Sequence, residues 1–256
     1  RDTPGARMFA NRLAKNAKRL GAWAAKNGVG CYRVYDADMP EYAFAIDLYA
    51  AADSPTRWAY VQEYAAPREI ELEAVRRRRG EALSVLPDVL GIPADRVHVR
   101  MRRRMARGDQ YAKEAERGEF HVIAEAGLRL PANFTDYPDT GLFLDHRLTR
   151  ARLRDAAARR RFLNLFAYTG SATVYAAAGR ARATTSVDLS RTYLDWAQEN
   201  LALNALAGRQ HRFVQADCRE WLAEAARLNE QFDLIFLDPP TFSISRRMHG
   251  VQDVQR

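Results

Sequence analysis

Cysteine is scarce in this chain: two among 256 residues, Cys31 and Cys218, far apart. That excludes a disulfide framework and a cysteine-spaced metal site, and no metal is expected. It fits a reducing, cytoplasmic setting. No stretch approaches the roughly 20 consecutive apolar residues that span a bilayer, and no secretory leader is visible, so no membrane partner is expected. There is no internal repeat. An initiator methionine is missing, and the last residues, Val251 to Arg256, close no element; both ends are expected to be cut from a longer polypeptide.

What is present is ordinary in bulk and uneven in charge. A length of 256 suits one large or two modest domains, and a hydrophobic share of 47% can fill a core. The net charge is +8, mostly arginine, and clustered at Arg76 to Arg79, at Arg100, Arg102, Arg103, Arg104 and Arg107, and from Arg147 to Arg161. Such clusters suit phosphate contacts and salt-sensitive nucleic-acid binding, although a solvated arginine-rich surface has the same composition.

Residues 6 to 27 read as an amphipathic helix, with Phe9, Leu13, Ala17, Leu20 and Ala24 on one side and Asn27-Gly28 as a stop. From Cys31 the pattern shifts to short strands, 43 to 49 and 58 to 64, then a helix from Pro67 to Arg79. Val97, Val99 and Met101 alternate with basic residues. Phe120, Val122 and Ala124 alternate likewise, and Ala126-Gly127 can turn the chain back toward Phe134. Gly108 to Gly118 reads as a polar loop. The expected division is a linker helix over 1–30, a small α+β RNA-binding or accessory domain over 31–135, and a second domain over 136–256. The segment Asp136 to Arg147 packs acids, rings and a His-Arg pair into twelve residues. Its composition fits a turn-rich connection and a ligand-facing loop alike. A basic helix is expected from Arg150 to Arg161.

The second domain alternates strand and helix. Strand Phe162 to Phe166 leads into the tight loop Ala167-Tyr-Thr-Gly-Ser171, then a helix of small residues ending at Gly179. Strand 183–187 is followed by Asp188, 18 residues beyond Gly170, the distance at which a Rossmann-like unit sets an acid against ribose hydroxyls. Ser190 caps a helix over 191–206. Strand 212–215 precedes Asp217-Cys218, and a helix follows over 219–228. The first loop has one glycine where a dinucleotide fingerprint has three, which argues for a ligand without a pyrophosphate. S-adenosylmethionine fits: Asp188 would take the ribose, Asp217 the adenine amine with Cys218 beside it, and Tyr168 to Ser171 would approach the methionine end. Each acid alone could be only a helix N-cap. The fourth strand, Leu234 to Leu237, reads as buried on both faces. It must stop at Asp238 because prolines cannot join a ladder. Asp238-Pro239-Pro240-Thr241-Phe242 then forms a stiff loop at the sheet's carboxyl edge, able to present one flat heterocycle to a reactive atom.

Four stretches carry a family resemblance: Phe162-Leu-Asn-Leu-Phe-Ala-Tyr-Thr-Gly-Ser171, Val187-Asp-Leu-Ser190, Gln215-Ala-Asp-Cys218 and Leu237-Asp-Pro-Pro-Thr-Phe242. They resemble the methyltransferase motifs of the RlmK half of the bifunctional 23S ribosomal RNA guanine methyltransferases, the RlmKL family. Thr140-Gly-Leu-Phe-Leu-Asp-His-Arg147 resembles the motif before that family's first strand, and Asn11-Arg-Leu with Cys31 to Tyr42 its entry segment. The resemblance implies an α/β fold, a Rossmann-like class I S-adenosylmethionine-dependent methyltransferase sheet, incomplete at the C-terminus and preceded by a small α+β domain. It implies methyl transfer to guanine N7 of 23S rRNA, and a fused or adjacent THUMP-containing methyltransferase half. The catalytic loop would be Asp238, Pro239, Pro240 and Phe242. The cofactor set would be Asn164, Phe166, Tyr168, Thr169, Gly170, Ser171, Asp188, Leu189, Ser190, Asp217 and Cys218, with Asp145 and Arg147. RNA phosphates would meet Arg76, Arg77, Arg78, Arg100, Arg102 and Arg104. Methylation of the guanine exocyclic amine, cytosine C5 methylation and an inactive RNA-binding fragment stay open as alternatives. The C5 reaction needs a cysteine in the strand-four loop, where none stands.

Overall fold

The computed structural model describes residues 2–66, 69–102, 118–240, 242–243 and 252–253. The chain forms two compact units, Arg1–Arg104 with His121–Gly127, and Met105–Phe120 with Leu128–Arg256.

The first unit is a four-stranded sheet backed by two helices. Helix α1 (Pro4–Lys26) starts where Thr3 accepts a hydrogen bond from the Ala6 N–H and Pro4 supplies a preset φ. Strands β1 (Tyr32–Asp36), β2 (Phe44–Ala50), β3 (Arg57–Tyr64) and β4 (Val97–Arg102) lie in chain order, antiparallel except for the parallel β3–β4 pair. Parallel neighbours need a crossover, and helix α2 (Leu72–Leu90) supplies it. Phe9 and Leu13 of α1 bury fully against Tyr35, Tyr42, Phe44, Ile46 and the α2 residues Ala82, Val85 and Leu86. Helix α1 is therefore part of this unit's core, not a linker apart from it.

Two expectations shift here. Helix α2 runs eleven residues past Arg79, through Gly80 and Pro87, because Ala82, Val85, Leu86 and Leu90 bury and outweigh both breakers. Strand β5 (His121–Glu125) buries Ile123 and Glu125, not the alternate set Val122 and Ala124. The turn at Ala126-Gly127 takes positive φ at both positions, as such a turn demands. Strand β6 (Leu128–Ala132) then belongs to the second unit, eight residues before the expected boundary at 136.

The second unit holds a parallel sheet. Its strands are β7 (Arg161–Leu165), β8 (Ala183–Asp188), β9 (His211–Gln215) and β10 (Leu234–Leu237), in the spatial order β10-β7-β8-β9. Helices α4 (Ser171–Ala178), α5 (Arg191–Leu203) and α6 (Cys218–Arg227) make the crossovers. Helix α3 (Arg147–Ala156) precedes β7; it begins three residues before the expected Arg150 and ends before Arg159, whose φ is +62°. Leu163, Leu165 and Val187 pack under Trp221 and Ala225 of α6 on one face. Phe162 packs with Leu153 of α3 and Ala172 and Ala176 of α4 on the other. Both faces of β7 are covered, as in doubly wound sheets. Strand β10 stands at the edge of this described order, and its Ile235 (55% exposed) and Leu237 (56%) are half exposed, where burial on both faces was expected. Beyond it β11 (Phe242–Ser243) pairs antiparallel with β12 (Gln252–Asp253).

Candidate functional site

The chain leaves β7 toward β8 and β9 on one side and comes back to β10 on the other. Such a reversal opens a crevice at the carboxyl ends of the strands, where α/β sheets hold ligands. A cleft of about 330 Å³ lies there, within the size range of small-molecule sites. Phe166, Ala167 and Tyr168 after β7, Asp188 at the end of β8, and Asp238, Pro239 and Pro240 after β10 line it together.

The loop after β7 is a tightly wound piece of backbone. Phe166, Tyr168 and Gly170 take φ of +54°, +51° and +68°. Tyr168 N–H donates to Asp188 Oδ2 at 2.9 Å, and Ser190 N–H donates to Asp188 Oδ1 at 2.8 Å. The carboxylate thus ties the loop after β7 to the first turn of α5 and faces the cleft with its remaining lone pairs. Burial pushes its pKa up, opposed by the N–H groups of Ser190, Tyr168 and Leu189. Gly170 is demanded by packing: besides its φ, a Cβ there would lie 2.5 Å from that of Ala197 on α5. Thr169 is fully buried, donating to the Gly141 carbonyl at 2.7 Å, while Asn200 donates to the Thr169 carbonyl at 2.7 Å.

The segment 136–147 is fastened to this loop. Gly141 N–H donates to the Tyr168 hydroxyl at 3.1 Å, and Gly141 (φ +96°) lies flat against the Trp196 ring, with no room for a Cβ. Of the two readings open for this segment, its place on the cleft wall favours the ligand-facing one: Asp139, Phe143 and His146 all line the cleft. His146 Nδ1 stands 3.8 Å from Asp238 Oδ2, and its ring meets Phe236 edge-on at 5.8 Å.

Several expected cofactor residues sit elsewhere, each for a physical reason. Asn164 is buried inside β7 and donates to Thr173, which shares a 2.7 Å hydrogen bond with Ser186; the three knit α4 to the sheet. Asp217 caps α6, accepting from the Arg219 and Glu220 N–H groups, and does not line the cleft. The Cys218 thiol is buried between the Phe166 N–H and the Val187 carbonyl, and burial raises its pKa to about 12. Ser190 caps α5, its hydroxyl accepting from Tyr193 N–H. Neither Leu189 nor Ser190 is among the lining residues. Asp145 is 80% exposed and, like Arg147, lies off the cleft wall. Ser171 does line it, at the first position of α4. The side chain of Phe242 and all of Thr241 lie outside the described residues.

The sequence reading missed Tyr193, Phe236, His146 and Arg150 on the cleft wall. Tyr193 stands on the turn that Ser190 caps, close enough to the acid motif to have been inferred. Arg150 was hidden in an arginine cluster assigned to phosphates, yet it is 2% exposed and donates to the Phe143 carbonyl at 2.7 Å. On the first unit, Arg76 and Arg77 are exposed, and Arg78 and Arg100 are half-buried. Arg104 and the side chain of Arg102 lie outside the described residues.

The geometry fits an adenosyl ligand with a charged tail: a buried carboxylate, Asp188, and a more exposed one, Asp238, line one cleft with aromatic walls. Among the described residues no group of three or more His, Cys, Asp or Glu could hold a metal ion, and no helix is long and apolar enough to cross a membrane. Comparison with known proteins agrees with the cleft. The profile of the S-adenosylmethionine-dependent methyltransferase family matches residues 50–256. The protein called ribosomal RNA large subunit methyltransferase K/L from Allochromatium vinosum is 54% identical over 99% of this chain and 34% of its own length. Its counterpart from Methylococcus capsulatus is 52% identical over 97% and 33%. The chain thus spans about a third of the curated relatives it matches. A candidate S-adenosylmethionine-dependent methyltransferase from Streptococcus mutans superposes with a TM-score of 0.74 at 25% identity, over 94% of this chain and 60% of that one. A candidate methyltransferase solved with S-adenosylhomocysteine (SAH) superposes with a TM-score of 0.79 at 24% identity, over 100% and 63%, and so shares the fold.

Proposed function

The chain belongs to the S-adenosylmethionine-dependent methyltransferase family, and on that premise we propose that it methylates guanine N7 in 23S ribosomal RNA, in the cytoplasm, as part of a protein that carries a second, THUMP-containing methyltransferase half. The observation that carries the reading is the meeting of Asp188 with Asp238-Pro239-Pro240 on one cleft at the strand-order reversal. One acid faces the cofactor side, and the other stands at the mouth where a base would enter.

When bound, the cofactor supplies an electrophilic methyl on a sulfonium, so the task left to the chain is alignment. Guanine N7 has an in-plane lone pair and no proton to lose, so no general base is required. Asp238 then acts as an acceptor for the guanine's own N–H groups, held by the rigid proline pair. His146 lines the cleft beside it, its Nδ1 3.8 Å from the carboxylate. Phe236, Pro239 and Pro240 provide apolar surface for a base lifted from its stack. The cytosine C5 route is disfavoured by the thiols: among the described residues neither Cys31 nor Cys218 lines the cleft, both are buried, and Cys218 is held protonated. The exocyclic-amine route is the second reading, favoured only by the acid-Pro-Pro pattern.

RNA as the substrate rests on the names of the relatives and on exposed arginines, Arg76 and Arg77 of α2 among them. The test is an Asp238→Ala variant in single-turnover methylation, paired with SAH calorimetry. Methyl transfer falling by about 100-fold, roughly the scale of one lost positioning contact, with SAH affinity held within twofold, is the expected outcome. Full activity in the variant would refute the assignment.

A further inference from the structure

The residues lining the cleft include three carboxylates, Asp139, Asp188 and Asp238, and one arginine, Arg150; none of the described lining residues is a lysine. S-adenosylmethionine brings two positive groups, the sulfonium and the ammonium, and one negative group, the tail carboxylate. Arg150 is the one arginine among the described lining residues, and the tail carboxylate is the cofactor's one anion. Arg150 is also no surface arginine. It is 2% exposed, its Nη1 donates to the Phe143 carbonyl at 2.7 Å, and its guanidinium lies 5.7 Å from the centre of the Tyr175 ring of α4. A guanidinium stays charged in any protein, so Arg150 gives the cleft wall a fixed positive charge. Its planar fork suits a carboxylate bidentately, which a lysine cannot match. Ser171 and Ala172, the first residues of α4, line the same cleft, and the amide groups of a helix's first turn add positive potential there.

We propose that Arg150 is the carboxylate anchor of the cofactor: its guanidinium binds the tail carboxylate of S-adenosylmethionine and so fixes the methionine end against α4. The cluster from Arg147 to Arg161 is then not uniform. Arg150 serves the cofactor from inside, whereas charge clustering alone suited the run to phosphate contacts. The inference rests on the family's cofactor, and its test separates the two.

The test is calorimetry on the full chain with SAH and with 5′-methylthioadenosine, which keeps the adenosine and the sulfur and lacks the amino-acid tail. Arg150→Gln is expected to weaken SAH by about tenfold or more, the scale of a lost charge-assisted hydrogen bond, and to leave 5′-methylthioadenosine within twofold. Arg150→Lys, which keeps a cation without the fork, is expected to fall between. An equal loss for both ligands would make Arg150 a structural residue and overturn the proposal, as would no loss for either. If neither variant folds, the guanidinium 15N resonances of the unchanged protein decide. A pair that shifts with SAH and not with 5′-methylthioadenosine supports the anchor, and no such pair overturns it. Failure of both ligands to bind the unchanged protein would overturn the cofactor reading itself, and the anchor with it.

Discussion

Asp188 holds two backbone segments with the carboxylate that lines the cleft, and in the proposed function that carboxylate takes the ribose. That arrangement fixes how cofactor affinity should respond to pH. Ribose hydroxyls donate to the ionised form, so protonation removes an acceptor. Burial raises the Asp188 pKa above the 3.8 of a free aspartate. SAH affinity should therefore start to fall, on acidification, at a higher pH than an ordinary aspartate would give. Asp188→Asn should bind SAH about tenfold or more weakly at neutral pH and show no such acid limb; calorimetry across the pH range checks both. Cys218 gives a second residue-scale prediction. Its folded pKa is about 12 against 9.0 for a free thiol. A raised pKa contributes stability that is whole below pH 9 and is lost as pH rises toward 12, because the unfolded chain ionises first. Thermal melts should lose up to about 1.4 kcal/mol per pH unit in that window from this group, and Cys218→Ala should lack that slope. Spacing alone brought Asp188 to the cleft, because strand, loop and helix lengths set that distance. Asp217 and Cys218 turn onto α6 and the sheet instead of lining this cleft, a choice that composition does not reveal.

At the scale of the element, the loop after β7 and the segment 136–147 form one fitted assembly around α5. Gly170 meets Ala197, and Gly141 meets the Trp196 ring. Gly170→Ala combines a left-handed conformation with overpacking and should cost about 2–4 kcal/mol in a denaturant melt. An Ala197→Gly background should return part of that, whereas a ligand-contact role for Gly170 would leave the melt unchanged and lower SAH affinity alone. The single glycine of this loop was legible as evidence against a pyrophosphate site; its reason, close packing on α5, was not, because nothing local in sequence brings residue 170 to residue 197. Element boundaries failed where burial beat local signals. The expected helix stopped at Arg79, yet α2 continues over Gly80 and Pro87 on the strength of Ala82, Leu86 and Leu90. Arg150 to Arg161 read as a helix from charge, yet Arg159 takes φ +62° and Arg161 begins β7.

Across the whole molecule, the parallel order of the second unit was readable from its strand-helix alternation, since βαβ crossovers leave few topologies open. The first unit was less readable, because antiparallel strands with one parallel neighbour carry no such rule. Under the proposed function its exposed Arg76 and Arg77 would meet RNA phosphates, and neither lines the cleft of the second unit. Replacing both with alanine should weaken RNA binding and flatten its dependence on log salt by about 1–2, while SAH affinity stays fixed. A salt slope equal to that of the unchanged protein would remove these two residues from the RNA interface.

The most direct measurement is nucleoside mass spectrometry of 23S rRNA after incubation with the full-length protein and S-adenosylmethionine. 7-Methylguanosine, lost in the Asp238→Ala variant, is the expected product. N2-methylguanosine or 5-methylcytidine that depends on Asp238, or rRNA left unmethylated, would refute guanine N7 as the target.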